Sequence, residues 1–258
     1  MPEAPDIEVF SKSFKERFAG KKVIKVTVVN SKKLKDSQEE LSAKIEGQTL
    51  EDVYRSGKEF RLRFSNGVIL GLHLMLSGDL QPYQGKNKWK STIVEFHFDD
   101  GWSLALADRR GDANIKLEPE DKPSPDVLSE EFDHEYLKQQ CKRKKKIKDL
   151  ITDQNVLRGI GNGYSDEILW DAKIHPHSKA NAIPEEKVKE LFEAIKRVLK
   201  ESTERIMKAY PGLLTGEVKE FHKVHNKDKT HSPTGAPIII EEKGMMKTYY
   251  TDEQVLYV

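Results

Sequence analysis

The second and third residues of the chain, Pro2 and Glu3, have the most distinctive chemistry in the sequence. Methionine aminopeptidases remove Met1 when the next residue is small, and proline meets that condition. The processed chain begins with a secondary amine, and because a terminal amine has a pKa of about 7.7–8.0, a sizeable fraction is uncharged near neutral pH. Such an amine attacks an aldehyde-like carbon and forms a Schiff base, which is covalent catalysis. The start of the chain therefore predicts an imine-forming nucleophile beside a carboxylate, with an ordinary exposed terminus as the alternative.

A second candidate site is the glycine-rich run from Gly159 to Tyr164, which lies between two predicted helices. Its alternating glycines let another molecule approach the backbone closely, because they carry no side chain. Backbone N–H groups at the start of a helix bind phosphate, and the Asn162 amide adds one more donor. The run therefore predicts a phosphate-binding turn, with a plain interhelical connection as the alternative.

Composition limits the class of protein. The chain has 258 residues, of which 36% are hydrophobic and 34% charged, and this predicts a globular protein of one large or two ordinary domains. It has no apolar run of about 18 residues and no secretion signal, so we expect no membrane partner. The single cysteine, Cys141, excludes a disulfide within the chain and fits a reducing cytoplasm. The net charge is +1, but residues 142–148 form a basic run that either neutralises phosphates or lines a solvated helix face.

The elements that must position these residues fall into two parts. The first part, residues 1–117, predicts a β-rich domain, a sandwich or flattened barrel, with one N-terminal helix over residues 6–19. Asn66-Gly67 and Asp99–Gly101 are typical of hairpin turns. The predicted strands are Lys22–Asn30, Glu59–Phe64, Val68–His73, Ser91–Phe98 and Trp102–Ala107.

The second part predicts helices that follow an acidic, proline-rich linker over residues 118–128. The helical domain spans residues 129–231, and residues 232–258 return to β character with a small hairpin. The predicted helices are Glu130–Gln139, Arg143–Thr152, Gly163–Ala172 and Pro184–Ala209, and the predicted hairpin strands are Pro237–Ile240 and Lys247–Thr251. The fold class is therefore α+β.

Four separate blocks, in order along nearly the whole chain, carry a more specific signal. They are Pro2–Asp6, Arg55–Lys58, His73–Gly78 and Asp153–Pro176. Together they resemble the Fpg/Nei superfamily of bifunctional DNA glycosylases, that is, formamidopyrimidine-DNA glycosylase and endonuclease VIII. The resemblance implies an N-terminal β-sandwich catalytic domain and a C-terminal helix-two-turn-helix domain that ends in a β-hairpin finger.

The resemblance also implies catalytic roles. Pro2 is the expected nucleophile at C1′ of the damaged nucleotide, and Glu3 is the expected general acid/base that moves protons around the sugar. Lys58 would contact the phosphate beside the lesion and assist the elimination steps. Asp6 stands where the family usually has glutamate, and its shorter carboxylate would orient the N-terminus.

The residues that the resemblance assigns to DNA binding lie in both parts of the chain. They are His73, Leu76, Arg109, Gly161, Asn162, Gly163 and Lys247. The glycine turn and its asparagine would hold backbone phosphates. Leu76 occupies the family's intercalating methionine position, and Arg109 would face the orphaned base. The finger's arginine position holds Met246, so the neighbouring Lys247 is the expected substitute cation.

The sequence departs from the family at the finger. The family's two Cys-x-x-Cys zinc pairs correspond here to His231–Thr234 and Thr251–Gln254, and one distant cysteine cannot supply four thiolates. We therefore expect a zincless finger that is held by packing, and no metal. The alternative is a metal site made by His222, His225 and His231.

The sequence also departs from the family around the lesion. The family's Arg-Arg-Phe-Gly loop reads Arg109–Asp112 here, so its aromatic wedge is missing. The segment Gly212–Val224 is short, which is typical of endonuclease VIII-like members that favour oxidised pyrimidines. The resemblance therefore indicates the endonuclease VIII-like branch.

These observations predict a bifunctional DNA glycosylase/AP lyase of base excision repair that excises oxidised pyrimidine-type bases. It would nick the strand by β,δ-elimination through a Schiff base at Pro2, without a cofactor, because the imine is the electron sink. The expected partner is double-stranded DNA with a damaged base or an abasic site, bound by a monomer at the nucleoid. The alternatives are a glycosylase for bulky alkylated bases and a family member that binds damaged DNA without cutting it.

Overall fold

The structure is a computed structural model that describes residues 1–244 and 246–258. It contains two compact units. Unit 1 comprises residues 1–121 and 206–217, and unit 2 comprises residues 122–205 and 218–258. Within the described residues, each helix is either too short or too polar to cross a bilayer.

Unit 1 begins with helix α1, which spans Ala4–Phe18. The helix starts there because the Glu3 N–H donates to the Asp6 side chain at 2.9 Å and because proline is favoured in the first turn. It ends before Gly20, whose φ of +85° suits glycine alone. Its buried face places Phe14 against Phe60 of one sheet, with ring centroids 6.3 Å apart. The neighbouring Phe18 stacks on a ring of the other sheet at 4.8 Å, so α1 contacts both sheets.

The body of unit 1 is a sandwich of two four-stranded antiparallel sheets, with strand orders β1-β6-β7-β5 and β2-β3-β4-β8. The strands are β1 Val23–Val28, β2 Leu50–Ser56, β3 Glu59–Phe64, β4 Ile69–His73, β5 Gly78–Gln84, β6 Thr92–Phe98, β7 Trp102–Asp108 and β8 Asn114–Leu117, and helix α2, Gln38–Ile45, lies between β1 and β2. The predicted β-rich domain with an N-terminal helix is confirmed, as is the α+β class.

Four elements of unit 1, namely α2, β2, β5 and β8, are additional to the predicted ones. Helix α2 begins with a capping box in which the Ser37 hydroxyl accepts from the Glu40 N–H and the Glu40 carboxylate accepts from the Ser37 N–H. Strand β5 contains Pro82, which a sheet tolerates because β5 is an edge strand. Strand β2 is polar, with only Leu50 and Val53 buried.

Unit 2 consists of helices and one hairpin. The helices are α3 His134–Cys141, α4 Ile147–Ile151, α5 Asn162–Asp171 and α6 Glu185–Ala209, with a 3-10 turn at Ala180–Ala182, and α6 runs on into unit 1. The hairpin pairs β9, Ile239–Lys243, with β10, Met246–Tyr250. Helix α3 starts four residues later than predicted because the Asp133 side chain caps it, accepting from the Tyr136 N–H at 2.7 Å. Buried Cys141 carries a thiol whose pKa burial raises to about 12, which makes it unreactive.

Candidate active site and DNA-binding elements

The N-terminus and the residues around it form the first candidate site, in unit 1. Pro2 and Glu3 are buried where α1 begins. The Met1 ammonium donates to the Glu217 carboxylate at 3.2 Å. Because Met1 is bonded directly to Pro2, the Glu217 carboxylate lies close to the place that the Pro2 amine takes once Met1 is removed. Sequence reasoning missed Glu217, since it lies 216 positions away from Met1 and no motif contains it.

Lys58 lies in the turn between β2 and β3, where the sequence placed it. Gly57 adopts a φ of +62°, and the Arg55 guanidinium donates to the Gly57 carbonyl at 2.9 Å, which fixes the turn. The Lys58 side chain is only 8% exposed. Burial lowers the pKa of its ammonium, whereas the nearby carboxylates of Glu3 and Glu217 partly restore it. The fold thus couples these three groups and gives the lysine a pKa below its ordinary value.

Asp6 is a buried carboxylate in the first turn of α1. Its carboxylate accepts the Glu3 N–H at 2.9 Å and is 1% exposed. The shorter side chain therefore does hold the backbone of the N-terminal segment.

His73 stands at the end of β4 and leads into the loop that carries Leu76. Its Nδ1 accepts the Met75 N–H at 2.8 Å, and burial lowers its pKa. The ring is therefore neutral near pH 7, with its proton on Nε2, which can donate to a phosphate. Met75 adopts a φ of +54°, a strained left-handed conformation for a residue other than glycine. That turn directs the next side chain, Leu76, into solvent, where it is 53% exposed.

One buried carboxylate, Asp108, joins the two loops that carry Leu76 and Arg109. It accepts the Ser77 hydroxyl at 2.5 Å. It also accepts three backbone N–H groups at 2.8–2.9 Å, those of Arg110, Asp112 and Ala113. Burial by itself raises the pKa of Asp108, but the hydrogen bonds outweigh burial and leave the pKa below its ordinary value. The two expected gap-filling residues are thus held by a common anion, which sequence reasoning also missed.

The glycine-rich run of unit 2 forms a turn between α4 and α5 that is tied together by the Gln154 side chain. The Gln154 side chain accepts the Gly159 N–H at 3.0 Å and donates to the Ile160 carbonyl at 2.7 Å. Gly159 has a φ of +114°, which a residue with a side chain rarely adopts. Gly161 is the extended N-cap of α5, so helix α5 starts at Asn162 and its first turn directly follows the glycine run.

Asn162 and Lys247 come together in unit 2. The Asn162 Nδ2 donates to the Lys247 carbonyl at 2.8 Å, which ties the glycine turn to the hairpin. An amide nitrogen carries two hydrogens, so this bond leaves a second for another acceptor. The Lys247 ammonium is exposed and pairs with Glu242 on the opposite strand at 2.6 Å. An exposed pair of this kind is weak and exchanges readily with a phosphate.

The basic run over residues 142–148 contains internally paired lysines, an exposed Lys146 that contacts His177, and further exposed cations. Lys145 pairs with Asp153 at 2.8 Å, and Lys148 is buried and pairs with Asp166 at 2.6 Å. These two lysines therefore stabilise the unit internally. Residues 142–144 are exposed and precede α4, which begins only at Ile147.

The positions that correspond to the family's zinc pairs surround a carboxylate instead. One oxygen of Glu253 accepts from Thr234 at 2.8 Å and Thr251 at 3.1 Å. It also accepts the Trp170 indole N–H at 3.2 Å, and Lys173 pairs with the other oxygen at 3.2 Å. These hydrogen bonds, the one from Thr234 most of all, lower the pKa of Glu253 to about 2. We call this group the Glu253 cluster.

The residues at the zinc positions do not fit zinc. Of the four positions only His231 carries an imidazole; Thr234, Thr251 and Gln254 offer neutral oxygen and nitrogen atoms where structural zinc requires thiolate or imidazole. The Gln254 side chain already donates to the Ile174 carbonyl at 2.8 Å and accepts the Thr251 N–H at 2.9 Å. In the part of the chain that the structure describes, no three histidine, cysteine, aspartate or glutamate side chains are arranged to hold a metal.

Comparisons with known proteins agree with this arrangement. The chain matches the family model of the formamidopyrimidine-DNA glycosylase N-terminal domain over residues 1–115 and that of its H2TH domain over residues 124–209. The formamidopyrimidine-DNA glycosylase of Lactobacillus helveticus (strain DPC 4571) is 34% identical over 213 residues, which cover 78% of this chain and 77% of the relative. That of Mycoplasma mobile is 29% identical and covers 97% of each chain.

A solved structure of the Lactococcus lactis enzyme in complex with DNA that contains an abasic site has the same fold. It is 22% identical, has a TM-score of 0.87, and covers 98% of this chain and 99% of that chain. The fold and its paired domains thus define a class of enzyme, the DNA glycosylases that also have AP lyase activity. Within this class, the chain belongs to the formamidopyrimidine-DNA glycosylase family.

Proposed function

We propose that this protein excises damaged bases from double-stranded DNA and then cuts the strand, with Pro2 as the nucleophile. The observation that carries the proposal is the group of side chains at the N-terminus. There the carboxylates of Glu3 and Glu217 act on the pKa of the buried Lys58 ammonium. A buried lysine with a lowered pKa beside carboxylates is typical of a proton-transfer site. An exposed proline at a chain terminus would need none of these neighbours.

The proposed reaction begins with the deprotonated Pro2 amine. Its lone pair forms a bond to C1′ while the bond from C1′ to the base breaks, and the base leaves with a proton. Glu3 then donates a proton to O4′ as the C1′–O4′ bond opens, which gives an iminium ion. Loss of a proton from C2′ expels the 3′ phosphate, and a further proton loss expels the 5′ phosphate. The Glu217 carboxylate would stabilise the iminium charge, and Lys58 would contact the adjoining phosphate.

The proposed DNA contacts follow from the elements described above. Asn162, with the backbone of Gly161 and Gly163, would hold a phosphate, as would His73 through its Nε2 proton. Lys247 would give up its ion pair with Glu242 and pair with a phosphate of the DNA backbone. The protein would work as a monomer on chromosomal DNA in the cytoplasm.

The proposed substrate class is an oxidised pyrimidine. It is supported by the short segment between α6 and Val224, which leaves less chain to cover a lesion than a long capping loop would. For the Lactococcus lactis relative, one solved structure is a complex with DNA that contains an oxidised pyrimidine. Duplexes that carry an oxidised pyrimidine, a formamidopyrimidine or an N7-alkylated purine would rank the three classes by the rate of excision.

The finger is proposed to be zincless, with the Glu253 cluster in place of a metal. The proposed functional segments are the catalytic domain 1–117, the linker 118–128, the DNA-binding domain 129–231 and the finger 232–258. Metal analysis of the purified protein tests the first statement, since one zinc per chain would contradict it.

Borohydride trapping tests the proposed chemistry. The Met1-processed protein is incubated with a duplex that contains an abasic site, and the imine is reduced to a stable protein–DNA adduct. We expect an adduct with wild type and with Pro5→Ala, a matched control in the same segment, and none once the terminal amine of Pro2 is blocked by acetylation; the DNA-linked peptide should begin with Pro2. Absence of the adduct with wild type would refute the lyase proposal.

A further inference from the structure

The loop between β5 and β6, residues 85–91, combines an exposed aromatic ring with three cations. Trp89 is 47% exposed, although burying a ring of this size is ordinarily favourable. Lys86, Lys88 and Lys90 alternate with it and are exposed as well. Alternating lysines around an exposed aromatic ring suit a partner that offers both phosphates and flat apolar surfaces.

The exposure of Trp89 is fixed by a hydrogen-bonded turn. The Asn87 side-chain oxygen accepts the Trp89 N–H at 2.7 Å, and the Thr92 hydroxyl donates to the Trp89 carbonyl at 2.6 Å. The Asn87 amide donates in turn to the Thr92 hydroxyl at 2.8 Å and to Glu95. The backbone at Trp89 is thus anchored at both its N–H and its carbonyl, so the part of the loop that carries the ring is ordered before a partner binds.

The strand register places this loop beside the expected gap-filling residues. Thr92 pairs with Ala107, so the end of the loop lies next to the end of β7, where Arg109 follows. A pocket of about 290 Å³ is lined by both Trp89 and Arg109. Its other walls include Ser77, which directly follows Leu76, and Asp108. Trp89 therefore faces the same space as the two loops that Asp108 joins.

The Arg109 loop also has room that an aromatic ring can use. Gly111 stands where the resemblance expects phenylalanine, with a φ of +66°, and a Cβ built there meets no heavy atom within 4 Å. The aromatic side chain missing from this loop is available from Trp89 on the neighbouring loop. Trp89 can take the place of the missing aromatic ring because the register of β6 and β7 brings its loop next to the Arg109 loop.

We propose that residues 85–91 are a DNA-contacting loop in which Trp89 stacks on a nucleobase next to the gap left by the extruded base. The three lysines contact phosphates of the same duplex. The inference rests on the proposed function, because it requires a duplex with an extruded nucleotide. It assigns to Trp89 the wedge role that the sequence of the Arg109 loop leaves unfilled.

Binding measurements with Trp89→Ala and Trp89→Phe test the stacking. The probe is a duplex with a tetrahydrofuran abasic analogue, compared with the same duplex undamaged. Loss of one base–aromatic stack weakens affinity by about 5- to 150-fold. We expect such a loss for the alanine variant on the abasic duplex, with substantial rescue by phenylalanine. Tyr54→Ala, which removes a 39%-exposed ring from the other sheet, is the matched control and should bind like wild type.

The lysines and the chemistry are tested separately. Replacing Lys86, Lys88 and Lys90 by glutamine should reduce the slope of log affinity against log salt by about 2–3. Wild-type affinity and an unchanged salt slope in these variants, with a normal thermal melt, would overturn the loop's role. Borohydride trapping with wild type separates the two proposals: failure of wild type to form the adduct would overturn the proposed function, whereas a wild-type adduct together with unchanged binding by Trp89→Ala would overturn only the loop's role.

Discussion

The Glu253 cluster offers a sharp test of how the finger is held. The perturbation is Glu253→Gln, which keeps the size of the side chain and removes its charge. The glutamine also turns an NH₂ group either towards Lys173, which lies 3.2 Å from one carboxylate oxygen, or towards the Thr234 hydroxyl, which lies 2.8 Å from the other. The cluster should then lose several charge-assisted hydrogen bonds simultaneously.

The magnitude follows from the number and exposure of these bonds. A hydrogen bond to a charged group contributes about 1.5–3 kcal/mol. The Glu253 side chain is 25% exposed, and its bonds from Thr234, Thr251 and Trp170 share one oxygen, so their energies do not add fully. We expect a loss of about 2 kcal/mol in the free energy that opposes local opening of the hairpin.

Two measurements check this prediction. Hydrogen exchange of the β10 amides should become roughly 30-fold faster in Glu253→Gln, which corresponds to the same 2 kcal/mol. The wild type should also lose the stabilisation as the pH falls from about 4.5 towards 2, because the folded pKa of Glu253 is depressed to about 2. Glu253→Gln should not show this loss of stability in acid. Equal exchange rates and equal acid profiles for the two proteins would refute the reasoning.

Three further predictions concern the active site and the DNA-binding elements. Lys58→Met should slow strand cleavage by about 100-fold and abolish the high-pH limb of the rate profile. In wild type the pKa of that limb should lie below the ordinary lysine range, because burial lowers the Lys58 pKa. Asp108→Asn should destabilise unit 1 by about 1–3 kcal/mol in denaturant unfolding, because an amide cannot accept from all four of its donors; an unchanged midpoint would contradict this. Asn162→Ala should weaken binding to any duplex about 10-fold, since it removes a phosphate donor and the tie to Lys247, and a sequence-dependent effect would argue against a phosphate contact.

Much of the fold follows from local signals in the sequence. Strand β3 has the predicted bounds, Glu59–Phe64, because the Asn66-Gly67 turn that follows it fixes one end of the hairpin. Helix α2 was missed although its capping box is visible at Ser37 and Glu40. Strand β5 was missed because Pro82 is unfavourable in any strand except one at an edge, and a sequence window does not show which strands are edges.

The candidate site divides in the same way. The amine chemistry proposed for Pro2 and the backbone geometry of the glycine turn depend on residue type and on near neighbours, so both could be predicted from the sequence by itself. The nearness of Glu217 to the N-terminus, the lowered pKa of Lys58 and the Glu253 cluster were decided only by tertiary structure. The reason is physical: a pKa depends on burial and on charges within a few ångströms, and both come from segments far apart in the chain that only folding brings together.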